Sequence, residues 1–280
     1  MKYAGVVVLY NPDKKVLDNI KTYSDDLERI YLIDNSSVDN SKLFVNFSNI
    51  EYLANFENLG IAKALNIGAN KAISDKIDFL LTMDQDSSFE KKGINDMKNF
   101  IEKRDDLNEI AIISPFHKTI LTPNVPEIEI SDPLIVMTSG NLINLKAYQA
   151  VGGFKEWLFI DCVDFAYCLD LRRLGYKIIQ YNKVVLNHAL GAFEKKKFLG
   201  KTYLCDNHNA IRRYYIVRNS HYIYDEYYSD YPQYCNAVLG DVRHGYFIVT
   251  FLEKNKIKKL WFMLKGYLHY KRGVKGRLGG

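Results

Sequence analysis

Over its first 115 residues the chain alternates short apolar runs with stretches of helical spacing, and this alternation narrows the possible folds more than any other feature of the sequence. Strands are expected at 6–10, 29–33, 50–53, 79–83 and 110–114, and helices at 12–23 and 61–73. Runs such as Val6-Val7-Val8-Leu9 and Phe79-Leu80-Leu81 show no polar alternation, so they fit strands buried on both faces. The pattern predicts an α/β protein with a mixed, mainly parallel, Rossmann-like sheet flanked by helices. No Gly-x-Gly-x-x-Gly follows the first strand, which disfavours a nicotinamide or flavin dehydrogenase.

Further along, 115–133 reads as loop with an irregular strand, and 134–138 as a strand ending at Ser139-Gly140-Asn141. A short helix at 145–151 closes on Gly152-Gly153, a helix at 165–174 stops at Gly175, and a strand follows at 177–180. Beyond His188 the chain is expected to be helical, aromatic and basic. The organisation predicted is one large domain over 1–205, in two halves (1–115 and 116–205), followed by a helical basic extension over 206–280.

Charge is distributed unevenly. The chain carries a net +5, yet from Asp241 onward ten Lys or Arg face two acidic residues, so the tail is net +8 and the remainder slightly acidic. Four cysteines in 280 residues show neither zinc-site pairing nor the density of a disulfide scaffold, and fit reduced thiols in the cytoplasm. The apolar start runs into Asn11-Pro12-Asp13 and reads as a buried strand, not a signal peptide, and no apolar run is long enough to span a bilayer.

Open α/β sheets bind ligands beyond the carboxyl ends of their strands. The residues there are Tyr10-Asn11-Pro12, Asp34-Asn35-Ser36-Ser37 and Asp84-Gln85-Asp86. Two carboxylates one residue apart at a strand end can hold a hard divalent cation while a diphosphate completes its shell, although an isolated Asp-x-Asp also occurs in solvated turns. Asp161 and Asp164 precede an amphipathic helix, where an N-cap role and a general-base role are both open. His188, a lone histidine after a strand, is a weak ligand signal by itself. Arg212, Arg213 and Arg218 lie within two helical turns and suit either a diphosphate or a solvated basic face.

Taken together, these residues resemble the family 2 glycosyltransferases of the GT-A fold, and within them the bacterial rhamnosyltransferase-like group that builds O-antigen, capsule or related surface polysaccharide. Val7-Val8-Leu9-Tyr10-Asn11-Pro12 and Ile33-Asp34-Asn35-Ser36-Ser37-Val38-Asp39-Asn40 are similar to the family's two nucleotide-contacting loops, and Asn58-Leu59-Gly60-Ile61-Ala62-Lys63-Ala64-Leu65-Asn66-Ile67-Gly68 to its helix start beside the donor, which would make 1–115 the nucleotide-sugar half of a catalytic domain and 116–205 its acceptor half. The resemblance therefore implies donor contacts at Tyr10, Asn11, Asp34, Asn58, Gly60, Lys63, Asp84 and Gln85, and diphosphate contacts at Arg212, Arg213 and Arg218. It implies Mg2+ or Mn2+ on Asp86, Asp84 and His188, an acceptor side formed by Ser139, Gly140 and Asp161, and Asp164 as catalytic base. Where the family has Glu-Asp this chain has Val163-Asp164, the form common in the rhamnosyltransferase-like group.

The activity implied is inverting transfer of a sugar from a nucleoside diphosphate. The donor would be dTDP-rhamnose, with a UDP-hexose or UDP-galactofuranose as the alternative, and the acceptor a saccharide carried on polyprenyl diphosphate. Nucleic acid is not an expected partner. In the tail, Ile257, Leu260, Trp261, Leu264 and Leu268 share a helical face flanked by lysines, which suits either packing on the catalytic domain or an anionic membrane surface at the inner face of the plasma membrane. Two other readings compete. A haloacid-dehalogenase-type phosphatase also places Asp-x-Asp after a buried strand, but opens its chain with that strand. A catalytically inactive nucleotide-sugar-binding module would have no need of Asp84, Asp86, Asp164 and His188 together.

Overall fold

The computed structural model describes residues 1–90, 92–188 and 193–279, the side chain of His188 excepted. Contacts divide the chain into two compact units, Met1–Glu156 with Asp164–Ala189, and Trp157–Val163 with Leu190–Gly280.

The first unit is built on a nine-stranded sheet. Four strands, β1 (Tyr3–Leu9), β2 (Arg29–Asp34), β3 (Ile50–Ala54) and β4 (Phe79–Asp84), form its parallel part in the order β3-β2-β1-β4. Central β1 is buried along nearly its whole length, as its valine-rich run requires. The sheet continues through β8 (Asn141–Asn144), β6 (Ile110–Lys118), β9 (Lys177–His188) and β5 (Ser87–Phe89), with β7 (Ile130–Ser131) paired to β9. There β4, β6 and β9 alternate between parallel and antiparallel neighbours, so the sheet is mixed as expected. Helices α1 (Lys15–Lys21), α2 (Ile61–Ser74), α3 (Gly93–Glu102), α4 (Leu145–Val151) and α5 (Val163–Arg173) complete the unit, although Val163 itself groups with the second. The core runs through Val7, Leu9, Leu32, Leu81, Met83, Ile113 and Leu142.

The second unit holds the antiparallel hairpin of β10 (Glu194–Phe198) and β11 (Lys201–Cys205), then α6 (Ala210–Tyr227), α7 (Pro232–Phe251) and α8 (Lys256–Lys271). A small apolar core of Val217, Val242, Val249 and Met263 joins the three helices. Among the described residues no helix is long and apolar enough to cross a membrane.

Two expectations are corrected. No strand forms over 134–138; the strand is β8, whose two apolar residues lie between Asn141 and Asn144. Those asparagines satisfy backbone that a tidy strand end would leave open, since Asn141 Nδ2 donates to the Met137 carbonyl (2.7 Å) and Asn144 Nδ2 to those of Leu107 and Ile110 (both 3.1 Å). The chain beyond His188 is not helical at once, because the hairpin precedes α6. Its Glu-Lys-Lys-Lys stretch lacks the apolar alternation that marks a half-buried strand.

Candidate active site

Strand register assembles the rim. Leu9 pairs with Asp34 and Val8 with Asp84, so β2, β1 and β4 end in one row with both aspartates on it. Strands lie about 4.8 Å apart, which sets the two aspartate backbones roughly 10 Å from one another across β1. That is a suitable span for a nucleotide whose base lies at one strand end and whose diphosphate lies at another.

Asp34 is fully buried and organises its loop. Its Oδ1 accepts the Ser36 N–H (2.8 Å), while Oδ2 accepts the Tyr52 hydroxyl (2.7 Å) and Asn40 Nδ2 (2.9 Å). Burial, followed by the hydrogen bond to Asp34, raises the Tyr52 pKa, so the phenol keeps the proton it donates. Neighbouring Asn35 donates to the Gly60 carbonyl and accepts from Asn55. Gly60, at φ 86°, caps α2, and its N–H is accepted by Asn58 Oδ1 (2.9 Å). Lys63 is exposed on the first turn of α2. Asn40 closes the second loop motif, whereas Tyr52 and Asn55 carry no motif and become partners of this loop only through the fold.

Gln85 and Asp86 form the turn between β4 and β5, with Asp84 partly buried and Asp86 exposed. Gln85 turns back to the end of β1. Its Oε1 accepts the Tyr10 N–H (2.9 Å), its Nε2 donates to the Tyr10 carbonyl (3.2 Å), and its own carbonyl accepts Asn19 Nδ2 (2.9 Å). Gln85, an expected donor contact, thus also braces the carboxylates on either side of it. The Asn11 N–H donates to Ser36 Oγ (2.6 Å) and ties the first loop to the second.

The segment 138–141 closes the other side of β4. The Asp84 N–H donates to Ser139 Oγ (3.1 Å) and the Gly140 N–H to the Thr82 carbonyl (2.6 Å). Gly140 has φ 85°, and a β-carbon there would stand 2.8 Å from Leu186 and 2.9 Å from Pro115, so the position admits only glycine. His117 Nε2 lies 2.6 Å from the Ser139 carbonyl, an acceptor, so this nitrogen carries the proton. Asp164, in the first turn of α5, lines one small cavity with Thr82, Thr138, Asn141, Phe154 and Tyr167. Its Oδ1 accepts the Phe165 N–H (3.0 Å). In the same cavity wall Asn141 Oδ1 and the Tyr167 hydroxyl are buried without a hydrogen-bond partner among the described residues. Asp84 and Asp164 therefore border the same four-residue segment, 138–141.

The described residues contain no group of three His, Cys, Asp or Glu able to hold a metal ion by themselves. The backbone of His188 pairs with Ser87, one residue beyond Asp86, but its side chain lies outside the described residues. Two hard carboxylates on one turn do fit Mg2+ or Mn2+, which commonly take one or two carboxylates and complete their shell with substrate phosphates and water.

The second unit gives the three arginines distinct positions. Arg218 is fully buried and donates to the carbonyls of Gly276 (2.6 Å), Leu158 (3.2 Å) and Trp157 (3.3 Å), over the rings of Tyr214 and Tyr215. Arg213 is buried against Asp206 and Glu253. Both guanidinium groups, expected from sequence to meet diphosphate, turn inward here, on a helix α6 that buries much of its surface. Arg212 is 44% exposed, with its Nε donating to Asp161 Oδ1 (3.1 Å). The Asp161 side chain is 12% exposed, its Oδ2 is buried without a hydrogen-bond partner among the described residues, and desolvation raises its pKa against the opposing pull of Arg212. It lies in a strained loop in which Phe159, Asp161 and Cys162 all have φ between 62° and 68°. Asn219 Nδ2 holds that loop through the carbonyls of Leu158, Ile160 and Asp161 (2.8–3.0 Å).

Solved structures with this architecture are GT-A glycosyltransferases. The first 349 residues of S. aureus TarS in complex with UDP-GlcNAc align over 98% of this chain and 82% of theirs, at TM-score 0.64 and 15% identity. GalNAc-T7 with UDP, GalNAc and Mn2+ aligns over 71% of this chain and 44% of its own length, at TM-score 0.56 and 15% identity. These likenesses define the class as the GT-A fold. Residues 6–148 match the description Glycosyl transferase family 2, and the chain belongs to that family. It is a glycosyltransferase. Over 99% of its length and 96% of the relative's, it is 26% identical to dTDP-rhamnosyl transferase RfbF of Shigella flexneri.

Proposed function

We propose that the protein transfers L-rhamnose from dTDP-rhamnose, with inversion, to a saccharide acceptor during bacterial surface polysaccharide synthesis, O-antigen or capsule among them. The observation that carries this reading is the placement of Asp164 and Asp84 around one segment, 138–141, at a rim where β1, β2 and β4 end together. The full-length likeness to a dTDP-rhamnosyl transferase supports the choice of donor.

In this reading Tyr10, Asn11 and the Asp34 loop receive the nucleoside, and the Asn58-Gly60 cap with Lys63 lines the donor side. Ser139 and Gly140 face the acceptor. Asp164 takes the proton of the acceptor hydroxyl as that oxygen bonds to the anomeric carbon and the bond to the diphosphate breaks. A divalent ion, held by Asp86 and Asp84 with His188, would offset negative charge on the departing nucleoside diphosphate. Inversion follows from a single displacement, without a covalent enzyme intermediate. The acceptor proposed is a saccharide carried on polyprenyl diphosphate.

A thermal-shift series with nucleotide sugars, with and without Mn2+, tests the donor, because a ligand of the folded state alone raises the melting temperature. The largest rise is expected with dTDP-rhamnose plus metal. NMR of the product formed on a saccharide acceptor should show the inverted anomeric configuration. A larger shift and turnover with a UDP-hexose or UDP-galactofuranose would replace the donor, and retained configuration would remove Asp164 from its role.

A further inference from the structure

The second unit has a surface that the chemistry above does not use. Some of its charges are buried between the helices, and its outside is in part apolar. Along α8, Ile257, Trp261, Leu264 and Leu268 recur at helical spacing on one face and are 87, 59, 44 and 37% exposed. At the end of α7 Phe251 is 49% exposed, and Leu199 at the hairpin tip is 86% exposed.

Leu199 is the least expected of these. Phe198 pairs with Lys201, so Leu199 and Gly200 form a two-residue turn, with φ of 47° and 76°. Two positive φ angles are those of a hairpin turn that ordinarily takes Asn, Asp or Gly at its first position. A bulky side chain there is strained, and at this exposure it recovers no burial in return. The hairpin nevertheless holds it at the tip.

The elements carrying this surface are tied together. Phe198 packs on Phe251 (5.2 Å between ring centres) and Phe247 (5.9 Å), and Lys196 Nζ donates to the Leu252 carbonyl (2.9 Å). Residues 252–255 then link α7 to α8, so Phe251 and Ile257 are at most about 20 Å apart even along an extended chain. Exposed Lys195, Lys197, Lys201, Lys254, Lys256 and Lys258 surround the group. Glu253 is buried, and Glu194 is paired with Lys196.

We propose that the hairpin tip, the end of α7 and the outer face of α8 together dock on a bilayer containing anionic lipids. Leu199 and Trp261 enter the interfacial layer and the lysines meet lipid headgroups. The lysines decide between a membrane and a protein partner, because protein interfaces are depleted in lysine whereas anionic bilayers attract it. The surface lies wholly within the second unit, and the proposal does not depend on the identity of the sugar donor.

Flotation of the full chain with phosphatidylcholine vesicles, with and without phosphatidylglycerol, tests it. Binding is expected to the anionic vesicles and to weaken as salt is raised. Leu199→Asn should reduce the bound fraction several-fold without lowering the melting temperature, because it removes the apolar tip while relieving turn strain. Trp261→Gln should also reduce binding several-fold, since its ring is largely exposed already. Equal flotation of wild type and both variants, or no preference for the anionic vesicles, would overturn the proposal. A concentration-dependent mass in solution that both substitutions abolish would assign the surface to a second copy of the chain instead.

Discussion

The two units handle polar groups in opposite ways. In the first, the core is apolar and the polar residues collect at the strand ends, where Asp34, Gln85 and Ser139 brace loops that leave Asp86 open to solvent. In the second, Arg213, Arg218, Glu253 and Lys259 are buried and joined to one another or to backbone, while leucine, isoleucine and tryptophan face outward. The same residue types therefore serve different ends. A charge at a strand end is available to a substrate, whereas a charge drawn between helices holds the helices in place.

The sharpest attempt to break this contrast is Asp164→Asn. Removing a general base should cost about 10²- to 10⁴-fold in transfer rate while leaving donor binding and the melting temperature nearly unchanged. The companion Asp161→Asn should leave far more activity, because Asp161 is held by Arg212. If the two variants exchanged these outcomes, the reacting carboxylate would belong to the second unit and the contrast would fail.

Next in size is Glu253→Ala, which leaves Arg213 and Lys259 buried without their shared carboxylate. A loss of about 3–5 kcal/mol in unfolding free energy is expected, measured by denaturant titration. Replacing Arg213, Glu253 and Lys259 together with apolar residues of similar volume should recover much of that loss. A neutral Glu253→Ala would mean that the buried charges do not hold these helices.

Much of the first unit is legible in sequence because its strands are short, apolar and punctuated by polar ends. The runs at 29–33, 50–53 and 79–83 each fall within one residue of the strand that forms. Elsewhere the local signal is misleading. β8 is hidden by asparagines whose side chains work on distant backbone, and β10 by lysines on a hairpin that is mostly exposed. For Arg213 and Arg218, nothing local in the sequence states which face of α6 is covered. That depends on Asp206, Glu253 and Gly276, up to 58 residues away along the chain.

A smaller effect is expected at the rim from Tyr52→Phe. The hydroxyl donates to Asp34 and accepts the Asn40 N–H (2.9 Å), so its loss frees one side of the Asp34 loop. The cost should be about 1–2 kcal/mol in stability, with KM for the donor raised and kcat little changed. Equal loss in kcat would show that the loop acts on the reacting groups and not only on the nucleoside.

The smallest effect is expected at the thiols, which can report on each unit separately. All four cysteines are buried, with Cys168 in the first unit and Cys205 in the second. Burial pushes the Cys168 thiol up to about 12 and raises that of Cys205 as well. The thiolate is the form that reacts, so the raised pKa keeps Cys168 in its unreactive protonated form at pH 8 even where reagent reaches it. Native protein should therefore resist an alkylating reagent, and raising the pH to 9 should add little reaction. In Glu253→Gln the second unit loses a charge beside Cys205. Labelling of Cys205, read by peptide mass spectrometry, should rise about tenfold in that variant while Cys168 stays protected, because local opening exposes one cooperative unit without the other. Parallel labelling of both cysteines would mean that the buried charges stabilise the two units as one.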